Sequence, residues 1–237
     1  MSKNHNQKGI QNLGVIGGLG AGTTAEFYLK VIFDCQRLNK ERRPLIVISS
    51  VPAPYKVEND FILENKNKEA YIPLLVKEAK RLEKAEVDIL VMPCNSLHCH
   101  IDEIRKAVKI PVISIVEETV AHIKRNGYKK VGLISTMATV QNRVYEDIFK
   151  KNKIDFIVPT GFEQAQMNKI IKNLIMGIYL NNDREYIQSV VGKLKDKGAD
   201  SIALACTDLQ LLLPKRDDIP IFDTMSILAD SAVAKMV

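Results

Sequence analysis

The sequence predicts an α/β protein of two similar lobes, each a four-stranded, mainly parallel sheet flanked by helices, related by pseudo-twofold symmetry. Three observations carry this reading. Short apolar strand patterns alternate with helical patterns along the whole chain, as parallel α/β architectures require. Gly14-Val15-Ile16 recurs as Gly132-Leu133-Ile134 at an offset of 118, and Ile110-Pro111-Val112 recurs as Ile219-Pro220-Ile221 at an offset of 109. Between them, an Asp, an apolar run and a Cys recur: Asp88 to Cys94 in one copy and Asp200 to Cys206 in the other, 112 positions on. Three landmarks in one order mark a duplication.

The first lobe takes its strands from Leu13–Gly17, Leu45–Ser50, Ile89–Met92 and Val112–Ile115. The second takes them from Val131–Ser135, Phe156–Val158, Ile202–Ala205 and Ile221–Phe222. Each is a short apolar run bounded by turn residues, the pattern of a strand buried on both faces. Helical patterns between them include Thr24–Leu38, Lys68–Lys84, Val140–Lys151 and Arg184–Lys197. The lobe boundary falls near Ile115. No Gly/Ser linker marks it, so the lobes are expected to pack closely with a site in their cleft.

Composition narrows the function classes. An apolar fraction of 46% in 237 residues is enough for real cores. Trp is absent and the net charge of +6 is spread over helix faces, which argues against a nucleic-acid surface. The four cysteines, Cys35, Cys94, Cys99 and Cys206, are too few and too dispersed for a disulfide framework. Met1 to Asn12 is polar and lacks the apolar core of a signal peptide, and no run is long enough to span a bilayer. A soluble, reducing, cytoplasmic setting is expected, with no membrane partner.

The chemistry concentrates at the two repeat-equivalent cysteines. Each ends a central strand, where open α/β sheets place their ligands. A Cys at such a place taken alone is more often a small buried hydrophobe. The equivalence of Cys94 and Cys206, followed by Asn95-Ser96 and Thr207-Asp208, favours a functional pair. Backbone N–H groups at such turns suit a carboxylate. The loop Gly17-Gly18-Leu19-Gly20-Ala21-Gly22-Thr23-Thr24 opens a helix, but its glycines are not spaced as G-x-G-x-x-G, and no acidic residue ends the next strand. It reads as a small-anion cradle and not as a nucleotide site.

Cys94 and His98 are four positions apart and could share a metal, yet no C-x-x-C pair or second ligand cluster exists, so no metal is expected. His98 is either a residue behind the Cys94 thiol or a satisfied surface histidine. Thr136 and Thr139 are either helix caps or hydroxyl donors in the cleft. Pro52-Ala53-Pro54-Tyr55-Lys56 reads as a rigid loop placed to cover the cleft. Cys35 lies on a helix face and is expected to be inert.

Together, Gly17-Gly18-Leu19-Gly20, Pro93-Cys94-Asn95-Ser96 with His98, Thr136-x-x-Thr139 and Cys206-Thr207-Asp208 resemble the motifs of the aspartate/glutamate racemases. That family's usual forms are G-G-M-G, P-C-N-T-x-H, T-x-x-T and G-C-T-E. The resemblance extends through Ile221-Phe222-Asp223-Thr224 to the last helix. It implies an isomerase of the aspartate racemase type that needs no pyridoxal phosphate or other cofactor, acts on a small amino acid, and forms a homodimer. It implies that Cys94 and Cys206 are the two bases, with His98 and Asp208 behind them. The implied substrate contacts are Leu19, Asn95, Ser96, Thr136, Thr139, Gln166 and Thr207. The last helix is expected to cross back, so that residues 1–115 with 225–237 form the lobe of Cys94, and residues 116–224 the lobe of Cys206.

The departures bear on specificity. Ala205 stands for the Gly before the second Cys, Asp208 for Glu, Ala21 for Pro, Gln166 for a pocket Lys and Leu228 for a His of the last helix. Lys56 is the only basic residue between Ser50 and Asp60, where some members carry an Arg. Two other functions stay open: an isomerase or decarboxylase of a small dicarboxylate, and a non-catalytic small-molecule binder on the same scaffold. Retention of both cysteines favours racemisation, because protonation from one side needs only one.

Overall fold

The structure, a computed structural model, describes residues 10–39, 42–213 and 217–237. Among these described residues, eight strands form two sheets. The first contains β1 (Leu13–Gly17), β2 (Ile46–Ser50), β3 (Ile89–Val91) and β4 (Val112–Ile113) in the order β2-β1-β3-β4. The second contains β5 (Lys130–Ser135), β6 (Asp155–Ile157), β7 (Ser201–Ala205) and β8 (Ile221–Asp223) in the matching order β6-β5-β7-β8. All six pairings are parallel. The helices are α1 (Ala21–Leu38), α2 (Tyr55–Glu64), α3 (Tyr71–Lys84), α4 (Ile101–Ala107), α5 (Ile115–Arg125), α6 (Met137–Gln141), α7 (Glu146–Lys151), α8 (Gly161–Ile175), α9 (Asn181–Asp196) and α10 (Thr224–Met236).

Alternation along the strands builds the cores. Leu13 and Val15 of β1, Ile89 and Val91 of β3, Val131 and Leu133 of β5, and Ala203 and Ala205 of β7 all face one central core. That core also takes Phe27 and Val31 from α1, Val116 and Val120 from α5, and Leu228, Ala229 and Ala232 from α10. Full burial of each large side chain here contributes about 1.5–3 kcal/mol. The opposite strand faces pack outward. Ile16, Leu90 and Met92 meet Leu75, Ala79 and Leu82 of α3, while Ile134, Ile202 and Leu204 meet Val190, Val191 and Leu194 of α9. α10 lies against both α1 and α5.

The repeated glycine has a packing reason. A Cβ on Gly14 would sit 2.6 Å from Leu90, and one on Gly132 2.5 Å from Ile202. Leu82 of α3 and Leu194 of α9 close over the same two spots. The duplication therefore keeps one device for seating a helix tightly on a strand.

Three sequence expectations are corrected. Val112–Ile115 is a strand only to Ile113, because Ser114 caps α5 by accepting from Glu117 N. The expected helix Val140–Lys151 breaks into α6 and α7. The Asn142 amide bonds back to Ala138 O at 2.9 Å, and Arg143 adopts φ 55°, a left-handed turn. The loop Pro52–Lys56 ends at Pro54, and Tyr55 begins α2.

Candidate active site

Both central strands end against the same cleft. After β3 the chain turns at Pro93, with Cys94 N donating to Met92 O at 2.8 Å, and enters a short 3-10 turn, Ser96–His100. The Cys94 sulfur accepts backbone hydrogen bonds from Ser96 and Leu97. After β7 the pattern repeats. The Cys206 sulfur accepts from the backbones of Asp208 and Leu209, which opens the 3-10 turn Leu209–Leu211. Two N–H donors at the second and third positions beyond each Cys are what the repeat preserves. They favour thiolate over thiol. Thr207 Oγ1 donates to Pro93 O at 3.4 Å and joins the two strand ends.

Burial opposes those donors. Loss of water pushes the Cys94 thiol up to about 12, with the Asp208 charge adding to it. Burial and the Asp208 charge raise Cys206 well above the usual thiol range as well. Asp208 is itself raised to about 6, chiefly by burial. Its Oδ2 lies 4.0 Å from the Cys206 sulfur, and its Oδ1 accepts from Thr23 Oγ1 at 2.7 Å. Gly20, at φ 110°, leaves room for this carboxylate, since a Cβ there would sit 3.2 Å from it.

His98 is buried and fixed in one tautomer. Nε2 accepts from Ile115 N at 3.1 Å, so the ring proton sits on Nδ1 and is donated to Cys94 O at 2.7 Å. Burial lowers its pKa to about 4. It ties the Cys94 turn to the start of α5 and addresses the Cys94 backbone, not its sulfur. Asn95 is held on both sides, donating to Thr224 Oγ1 at 3.0 Å and accepting from Tyr145 Oη at 2.5 Å. Ser96, Thr136 and Thr139 form a hydroxyl triangle with edges of 2.8, 3.0 and 3.0 Å. Thr136 also caps α6 by accepting from Thr139 N, so it is at once a cap and a wall of the site.

A cavity of about 30 Å³ lies between the two cysteines' turns, room for one or two waters. Leu19, Cys94, Asn95, Ser96, Thr136, Cys206, Thr207 and Asp208, all expected from sequence, line it. Thr139 stands behind Thr136, and His98 behind Cys94. Gln166 is half-buried on α8 and is not part of the wall; Ile175 is the α8 residue that reaches it. Sequence reasoning missed Glu58, Phe61 and Ile62 of α2, and Tyr71, Leu97 and Ile175. The spacing of Glu58, Phe61 and Ile62, at i, i+3 and i+4, was the available signal for a helix facing the cleft. Among the described residues no group of three or more His, Cys, Asp and Glu could hold a metal, and no helix is long and apolar enough to cross a membrane.

Residues 16–232 match the Asp/Glu/hydantoin racemase family. The chain belongs to that family. It is also 33% identical over 230 residues to the broad specificity amino-acid racemase RacX of Bacillus subtilis (strain 168), covering 94% of this chain and 96% of the relative. The solved structure of an aspartate racemase homologue from Pyrococcus horikoshii OT3 superposes with a TM-score of 0.75 at 25% identity, covering 95% of this chain and 98% of that one. The Picrophilus torridus aspartate racemase shares the fold, with a TM-score of 0.78 at 23% identity over 95% of this chain and 94% of that one.

Membership makes this an isomerase of the racemase class. Within that frame the departures have definite places. Ala205 is fully buried in the central core, as is Leu228 on α10. Lys56 points away from the site and pairs with Asp60 at 2.8 Å on the surface. Asp208, shorter than the family's Glu, reaches Thr23 and the Cys206 sulfur, and among the described residues no cation pairs with it.

Proposed function

We propose that this chain is a cofactor-independent amino-acid racemase in which Cys94 and Cys206 act as paired acid and base on opposite faces of Cα. The observation that carries this reading is that the two sulfurs, at equivalent strand ends, border one cavity with the same pair of backbone donors each. One thiolate removes the Cα proton as the other thiol delivers a proton to the opposite face. The roles exchange for the other enantiomer. Burial, and after it the Asp208 charge, holds both thiols protonated, while the two backbone donors at each sulfur favour its thiolate. The substrate ammonium supplies positive charge beside the thiolate and Asp208, near which no cation acts among the described residues. Thr207, Ser96 and the turn backbones receive the α-carboxylate. Exclusion of water strengthens each of these fields.

The close relative's broad specificity supports an amino-acid substrate without fixing its side chain. We further assign residues 1–115 and 225–237 to one lobe, and 116–224 to the other, with the site in their cleft; residues 1–9, 40–41 and 214–216 of this division lie outside the described residues. The test is incubation in deuterated water with L-Asp, L-Glu, and neutral and basic amino acids, without added cofactor. Cα exchange and loss of optical purity are expected for at least one. No exchange with any of them between pH 7 and 9 sinks the reading. Carbon dioxide release from a substituted malonate without such exchange would point to decarboxylation instead.

A further inference from the structure

Every ionisable side chain in the cavity wall is an acid. Cys94, Cys206, Tyr71, Asp208 and Glu58 border it, and among the described residues no Lys, Arg or His does. Glu58 is half-buried on the face of α2 that also presents Phe61 and Ile62. Among the described residues its carboxylate has no hydrogen-bond or ion-pair partner, and loss of water alone raises its pKa. Lys56, one turn away at most, is exposed and committed to Asp60. A partly desolvated carboxylate without a counter-charge is costly. The apolar part of the wall is Leu19, Phe61, Ile62, Leu97 and Ile175. An aliphatic stem finds contact there, and a cation at its end finds Glu58. A substrate carboxylate at the same depth would meet a like charge and no cation.

We propose that Glu58 determines side-chain specificity, and that the site takes α-amino acids carrying a cation on an aliphatic stem, the class of lysine, ornithine and arginine. The assignment rests on the racemase reading and names its substrate class. The 30 Å³ cavity is too small for such a substrate, and α2 crosses the cleft to touch α6 and α8. Opening therefore displaces the helix that carries the carboxylate. Closing over a cationic side chain brings Glu58 to it.

The experiment compares Cα exchange and racemisation of L-lysine, L-norleucine and L-glutamate by wild type, Glu58→Gln and Glu58→Asp. Norleucine keeps the stem of lysine and lacks its charge. Wild type is expected to favour lysine over norleucine by about tenfold or more in kcat/KM, and over glutamate by more still. Glu58→Gln is expected to lose that preference, the lysine-to-norleucine ratio of kcat/KM falling toward one. Glu58→Asp should keep the order of preference, which guards against a Gln variant that folds poorly. A glutamate preference in wild type overturns the assignment alone. Equal losses on lysine and norleucine in Glu58→Gln also overturn it, and give Glu58 the α-ammonium instead. Absence of exchange with every amino acid sinks the racemase reading, and this assignment with it.

Discussion

Thr23 Oγ1 donates to Asp208 Oδ1 at 2.7 Å, joining residues 185 positions apart. Thr23 lies in the first turn of α1 and Asp208 follows β7, so one hydroxyl of the first repeat sets the charge beside a sulfur of the second. Its hydrogen bond is the strongest influence opposing the rise of the Asp208 pKa. Thr23→Val is therefore expected to move that pKa above about 6 and to shift the acid limb of the rate profile toward higher pH. The buried oxygen left without its donor should cost about 1–3 kcal/mol of stability. A pH–rate profile beside a urea titration checks both effects; an unmoved acid limb would remove Asp208 from the titration.

Asp208 also predicts a pH dependence of stability. Its folded pKa, about 6, lies above the ordinary 3.8. Between those values the folded state holds a proton that the unfolded state has lost. The stabilising contribution is thus complete below about pH 4 and disappears as pH rises through about 6, amounting to about 3 kcal/mol at most. Asp208→Asn keeps an acceptor for Thr23 but does not titrate. Denaturation midpoints of this variant and wild type should diverge in favour of Asn from pH 4 to 7. Parallel curves would contradict the assignment.

His98 has the opposite sign. Its folded pKa of about 4 lies below the ordinary 6.5. Its stabilising contribution is present above 6.5 and is lost as pH falls through 4. His98→Ala leaves the Cys94 carbonyl and the Ile115 N–H unpaired, at about 2 kcal/mol or more. The variant should show a flatter acid-denaturation slope than wild type, and activity should fall because the Cys94 turn loses its tie to α5. Retained activity with lost stability would confine His98 to the fold.

The cysteines separate by position. Cys94→Ala and Cys206→Ala should each abolish racemisation while keeping Cα exchange for opposite enantiomers. Cys35, in the central core, and Cys99, half-buried within the 3-10 turn after Cys94, should tolerate Ala with activity near wild type. Cys35→Ala should cost about 1 kcal/mol through lost packing. Chiral chromatography with deuterium exchange for all four variants decides this. Full racemisation by either the Cys94 or the Cys206 variant refutes the pairing.

Strand identity was legible because the central strands are buried apolar runs and the duplication showed which runs correspond. Cys94, Cys206 and the polar residues after them were legible for the same reason. The α2 wall was not. Pro52 and Pro54 read as loop, and the helix that follows is marked only by Val57, Phe61, Ile62 and Leu63 among mostly polar neighbours. The break between α6 and α7 was hidden too, because its cause is the Asn142 side chain bonding backward, which no periodicity records. That break turns Tyr145 onto Asn95, a contact 50 positions apart that sequence spacing could not reveal.

The repeat is unequal at one point: the second residue after Cys206 is the acid Asp208, while the second after Cys94 is the uncharged Ser96. Mirror-image substrates therefore meet chemically different halves of the site. Yet L and D enantiomers have the same free energy in water, so the forward and reverse values of kcat/KM must be identical. The carboxylate cannot make the enzyme a net producer of either hand. It can only redistribute, so that the enantiomer bound more tightly is also the one turned over more slowly. Any lasting excess of one enantiomer around this enzyme has to come from whatever supplies or removes it.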